Sequence, residues 1–173
     1  VDLAMALAHA GFVVVAPTHP GDNYADSSAQ GAADLYSRRN RQLRSTLDYM
    51  LNRWPSASAI DSNRVGAFGM SAGGFTVLTL AGGQPRMQAI SEHCAKAPEF
   101  ICRALAELKS PLLAGADGSG TFAADGRIKA VAIAAPGLGF TFEGGGFKDV
   151  HIPVQLWIGD RDDTVPAPTN AAI

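Results

Sequence analysis

The sequence predicts an α/β protein: a parallel sheet flanked by helices. Four short apolar runs, at 12–16, 65–68, 131–134 and 154–158, are rich in branched residues and lack clean alternation, as strands buried on both faces do. The segments between the first three carry helical spacing, and one run passes straight into a helix candidate through the turn "GAFGMSAGGF". Strand, helix, strand, helix is the order of a parallel sheet with crossover helices. At 173 residues the chain is long enough for one sizeable core and short of two.

Element by element, "VDLAMALAHAG" reads as a helix closed by Gly11 and followed at once by the strand "FVVVAP". No strand precedes that helix and the chain starts at Val1, so an excerpt of a longer protein, a single partial domain over 1–173, is expected. Leu43, Leu47, Met50, Leu51 and Trp54 then repeat at helical spacing up to Trp54-Pro55. The basic run Arg38, Arg39, Arg41 and Arg44 on the same helix reads as a solvated face pairing with acids such as Asp34 and Asp48. "AGGFTVLTLAGG" is the next helix, opened by small residues and closed by glycines.

Residues 84–126 break the alternation with a helical insertion that includes "PEFICRALAELK" and the flexible "GADGSGTF". An insertion of this size is read as lid-like, a pocket wall, or as a structural excursion with no contact to substrate. It holds both cysteines, Cys94 and Cys102. On one continuous helix they would lie about 12 Å apart, too far to bridge, but Pro98 between them can fold the segment back. A disulfide and two reduced thiols both remain open; a bridge would point to a periplasmic or secreted setting.

Composition excludes several classes. The net charge of −2 offers no footprint for nucleic acid or an anionic membrane, and 47% apolar against 17% charged residues argues against disorder. No run is long enough to span a membrane, and no signal peptide is visible. No dinucleotide fingerprint or P-loop is present and no pair of histidines has ligand spacing, so neither a cofactor nor a metal is implied.

The chemistry concentrates at Ser71. Between a strand and a helix, a nucleophilic serine takes a strained backbone conformation and its neighbours approach adjacent chain closely. Gly69 and Gly73 then remove side chains that would clash, giving the Gly-x-Ser-x-Gly nucleophile elbow. The turn lifts the hydroxyl to a helix N-terminus, where the backbone N–H of Ala72 can stabilise an oxyanion. The competing reading is a serine N-cap beside flexible glycines; the strand-then-helix context favours the elbow.

A serine hydroxyl needs a base to take its proton, usually a histidine oriented by a carboxylate. The run 154–158 leads into a turn with Asp160, Asp162 and Asp163. That turn falls at the carboxyl end of a parallel strand, on the same sheet edge as the elbow.

With both motifs placed, the chain resembles the α/β-hydrolase superfamily, and most closely its dienelactone-hydrolase-like and platelet-activating-factor-acetylhydrolase-like esterases. "GFVVVAPTHPGDN" is similar to that family's fourth strand and following loop, "IDSNRVGAFGMSAGG" to its approach to the elbow, and "IPVQLWIGDRDDTVP" to its acid turn. The resemblance implies an α/β-hydrolase-type sheet and puts the triad acid at Asp162, counted from Gly159 and Val165-Pro166. Dienelactone hydrolase proper uses a cysteine nucleophile; Ser71 here implies ordinary ester substrates.

The family's histidine follows the acid, and none follows Asp162, so the base is expected beyond residue 173. The family's His-Gly oxyanion loop would precede the strand at Phe12. Of the four histidines present, His9 reads as a surface or capping residue, His93 as part of the insertion and His151 as lying at the wrong strand end. His19, at the carboxyl end of the first run, reads as a pocket residue and is the candidate among them for the base. The expectation is a serine carboxylic-ester hydrolase acting on a small-molecule ester. A prolyl-oligopeptidase-type peptidase and a non-catalytic binding module of the same fold are the alternatives. The sequence is silent on oligomeric state.

Overall fold

In the computed structural model, which describes residues 2–118 and 120–173, three of the four apolar runs pair into one parallel sheet. Its strands are β1 (Val65–Met70), β2 (Ile128–Ala134) and β3 (Val154–Trp157), ordered β1-β2-β3. Met70, Ala134 and Trp157 stand in register, so all three strands end on one edge. Paired residues share a face. Ile133 is 1% exposed on the covered face, while Phe68, Met70 and Trp157 lie 48%, 64% and 59% exposed on the other.

The fourth expected strand is corrected. Residues 12–16 run without strand pairing, and each is exposed. A groove of about 1100 Å³ separates them from β1 and is lined by Phe12, Val14, Val65, Ala67 and the helical residue Leu7. Neighbouring strands hydrogen-bond at about 4.8 Å. Across a groove this wide the segment has no ladder to join, however strong its strand propensity.

The described residues form five α-helices: α1 (Asp2–His9), α2 (Leu35–Asn52), α3 (Ala72–Leu80), α4 (Ala89–Lys96) and α5 (Phe100–Glu107). Helix α3 is apolar all round, as a central helix should be. It packs on β1 and β2, with α2 against its other side. Residues 74–80 are all buried. Phe75, fully buried, meets Tyr36, Phe122 and Phe142 with ring centroids 5.1, 5.8 and 5.3 Å away.

Helix α2 differs from its sequence reading. Its buried positions are Leu35, Tyr36, Ser37 and Asn40, and Asn40 Nδ2 donates to Thr79 Oγ1 (3.0 Å) and to the Ala123 carbonyl (3.2 Å). The apolar residues Leu43, Leu47, Met50 and Leu51 line the groove instead. The arginine face is only partly solvated. Arg38 pairs with Asp34 as expected, but the Arg39 side chain is 14% exposed, pairs with Asp22 and donates from Nε to Thr76 Oγ1 at 3.2 Å. Asp48 pairs across the fold with Arg127 (2.6 Å).

Segment 84–126 is built into the core. Met87, Ile90, Leu105 and Leu112 belong to the same buried cluster as Phe75, Leu78 and Phe142. Its two helices fold back on each other between Lys96 and Phe100, which brings the cysteine Cα atoms to 5.4 Å, and Cys94 and Cys102 are bridged. The continuous-helix spacing does not apply because the helix stops before Pro98.

Candidate active site

Ser71 occupies the turn between β1 and α3 with φ +53° and ψ −120°, in the half of conformational space that costs an L-residue free energy. Backbone bonds hold it there: its N–H donates to Ala134 O (3.0 Å), and its carbonyl accepts from Phe75 N and Gly137 N, both at 3.2 Å. It stands at the N-cap of α3, yet its side chain makes no capping bond and the residue is exposed. The hydroxyl therefore faces outward beside the N–H groups of the first turn, Ala72 foremost, which have no intrahelical acceptor.

The two glycines of the motif do unequal work, which corrects the sequence reading. A Cβ on Gly69 would lie 2.2 Å from the Gly73 carbonyl oxygen, so that position is closed to any side chain. A Cβ on Gly73 would have nothing within 4 Å. The second close approach belongs to Gly74, where a Cβ would come within 2.8 Å of Ile133 Cγ2 and 3.1 Å of Pro136 Cα. Gly74 is what lets the helix start lie flat on β2.

Beyond β2, the loop "APGLG" also reaches the site, and the sequence reading missed it. Ala135 and Leu138 have φ +41° and +61°, so among the described residues three of the four non-glycine positions with positive φ gather at this sheet edge. A Cβ on Gly137 would sit 3.9 Å from both Ser71 Oγ and Ala72 N. Strain gathered at one edge is a mark of a functional site. A glycine three residues past a strand end was the only signal available in the sequence.

Asp162 lies past the end of β3, half-buried, with Oδ1 accepting from Thr164 N (3.0 Å) and Val165 N (2.8 Å). Asp160 and Asp163 are exposed. Ser71 and Asp162 thus share one sheet edge, and the strands that carry them are two spacings apart, about 10 Å. That gap suits a third group placed between them.

The histidines are dispersed. His9 and His151 are exposed. The His93 ring stacks on Phe140, centroids 3.9 Å apart. His19 lines the groove and donates from Nδ1 to Gln42 Oε1 at 2.5 Å. Burial holds its imidazole below the ordinary 6.5, partly offset by the Gln42 bond. Near neutral pH it is a neutral ring with Nε2 as its acceptor. No group of three or more His, Cys, Asp or Glu arranged to hold a metal occurs among the described residues. Nor is any helix among them long and apolar enough to cross a membrane.

A model of the dienelactone hydrolase family matches residues 1–135. The chain belongs to the dienelactone hydrolase family. No curated protein and no solved structure matches it. Membership makes this family member a hydrolase of the α/β-hydrolase type, and a parallel sheet flanked by helices fits part of that fold. The matched span includes Ser71, Ala72 and His19 and ends before the acid turn.

Proposed function

We propose that the chain carries the nucleophile and the acid of a serine hydrolase that cleaves carboxylic esters through an acyl-enzyme. Ser71 Oγ attacks the acyl carbonyl, its proton passes to a histidine, and the alcohol leaves with that proton. Water then releases the acid by the same route in reverse. The Ala72 N–H faces the developing oxyanion, and Asp162 orients the histidine. That histidine would come from outside these 173 residues: the four present are engaged elsewhere or exposed, His19 on Gln42, His93 against Phe140 and Glu99, and His9 and His151 in solvent. The observation that carries the reading is the serine at φ +53° on a strand-to-helix turn, with its hydroxyl free of the cap. The family match supports hydrolysis in general; serine in place of cysteine supports ester substrates. The Cys94–Cys102 bridge supports an oxidising, periplasmic or secreted setting.

A fluorophosphonate probe on the intact protein tests this. Labelling at Ser71, lost in Ser71→Ala, is the expected result; labelling elsewhere with full ester turnover in the variant sinks it. Asp162→Asn should lower turnover by up to about 10⁴-fold, the penalty known for that change in a serine triad. Asp160→Asn and Asp163→Asn should cost little.

A further inference from the structure

Between the end of β3 and Asn170 no residue is buried, so the turn that carries Asp162 hangs from the sheet without a core anchor of its own. The first buried residue after it is Asn170, 4% exposed. What holds that point is a carboxylate from the other side of the sequence. Glu99, between the two bridged helices, accepts from Thr169 Oγ1 through Oε1 and from Asn170 Nδ2 at 3.1 Å through Oε2. His93 Nε2 lies 3.1 Å from Oε1 without the alignment of a hydrogen bond. The Glu99 and His93 side chains are 8% and 11% exposed. A carboxylate so little hydrated costs free energy unless donors surround it, and Thr169 and Asn170 supply them.

The same joint reaches the serine side. Asn170 Oδ1 accepts from Gly139 N at 3.0 Å, and a Cβ on Gly139 would lie 2.1 Å from the Asn170 carbonyl oxygen. Gly139 belongs to the strained loop that touches Ser71 at Gly137, and Phe140 carries the stacked His93 ring. Three chain segments therefore meet at Glu99: the disulfide-closed hairpin, the loop beside the nucleophile, and the end of the acid turn.

We propose that Glu99 is a positioning residue, presented by the Cys94–Cys102 hairpin, that fixes the turn bearing Asp162 relative to the loop beside Ser71. The catalytic part of this claim rests on the hydrolase reading above. Glu99 touches no reacting atom; it acts through Thr169 and Asn170. An orienting acid displaced by about 1 Å can cost up to about 10²-fold.

Two measurements on the intact protein test it. The first needs no activity: amide hydrogen exchange at Thr164 and Val165, whose N–H groups bond Asp162 Oδ1. In Glu99→Ala, and after reduction of the disulfide, those amides should exchange about tenfold faster or more, while those of α3 keep their protection. Should Glu99→Ala fail to fold, Thr169→Val, which deletes one donor to the carboxylate, reads the same amides. Unchanged exchange in a folded variant overturns the positioning role, and unchanged exchange after reduction overturns the part given to the hairpin.

The second is a double-mutant cycle in ester turnover. Glu99→Ala should lower kcat by about 10- to 10²-fold with KM unchanged. In an Asp162→Asn background it should cost almost nothing further. Fully multiplicative losses would mean that Glu99 does not act through Asp162. If Asp162→Asn alone retains turnover, the acid assignment fails, and the exchange result still decides whether Glu99 holds the turn.

Discussion

Ser71 shows how a single residue is held against its own preference. A backbone at φ +53° costs an L-residue on the order of 1–3 kcal/mol, and three backbone bonds to residues 75, 134 and 137 keep it there. Ser71→Gly should therefore raise the unfolding midpoint while abolishing fluorophosphonate labelling, and Ser71→Ala should lose the label without that gain. A glycine variant no more stable than the alanine one would show the turn to be unstrained. The flanking glycines separate in the same way. Gly73→Ala meets no atom and adds helix propensity worth up to about 1 kcal/mol, so thermal unfolding should hold or rise. Gly69→Ala drives a methyl to 2.2 Å from a carbonyl oxygen and should collapse the turn, with loss of both stability and labelling. Equal melting behaviour of the two variants would contradict the geometry.

Polar ties at their ends add to the apolar core in joining the elements. Asp125 closes segment 84–126, and Arg127 clamps it at the start of β2, donating from Nε (2.8 Å) and Nη2 (2.5 Å) while also reaching Asp48 on α2 (2.6 Å). The Arg127 hydrogen bonds hold the Asp125 carboxyl below its ordinary 3.8 against the opposing effect of burial. A depressed carboxylate adds stability that is complete above its unfolded value and is lost as pH falls through its folded one. Arg127→Ala leaves Asp125, 8% exposed, without its partner and should cost about 1–3 kcal/mol near neutral pH. That difference from wild type should shrink as the pH drops below about 3.8. A gap between the two proteins that widens on acidification would reverse the assignment. The disulfide belongs to the same scale: its hairpin brings Glu99, from the middle of the insertion, to the C-terminal side of the sheet.

At the scale of the molecule the sheet has one covered face and one bare one. β1 and β3 are both edges, every residue of β3 is exposed, and Phe68, Met70, Trp157 and Ile158 stand on or beside the open side. Unpaired strand edges beside exposed apolar side chains invite association. These 173 residues on their own should self-associate with increasing concentration in sedimentation and bind a hydrophobic dye. Phe68→Lys with Trp157→Lys should weaken both while leaving the α3 core intact. A monodisperse monomer that binds no dye would contradict this.

The sequence by itself determined what local rules encode. Branched apolar runs marked the three paired strands, and the helical periods marked α2 and α3 to within a few residues. The motif around Ser71 announced a strained turn because its glycines mark close approach of backbone, which Gly69 makes and Gly73 does not. The acid turn was legible because a strand end followed by Asp-x-x-Val-Pro is a local pattern. Tertiary structure decided everything that depends on which segments are neighbours. The run 12–16 has strand propensity but no ladder, since pairing needs a partner at hydrogen-bonding distance and β1 lies across a groove. Arg39 reads as a solvated helix residue and is instead held inside by Asp22, and Asn40, which carried no reading, is buried against Thr79. The cysteine pair was undecided until the hairpin closed the distance. Glu99 carried no signal, and Gly137 only that of a glycine shortly after a strand end. Their roles come from loops that converge at one sheet edge, and no period or spacing along a chain records which loops will meet there.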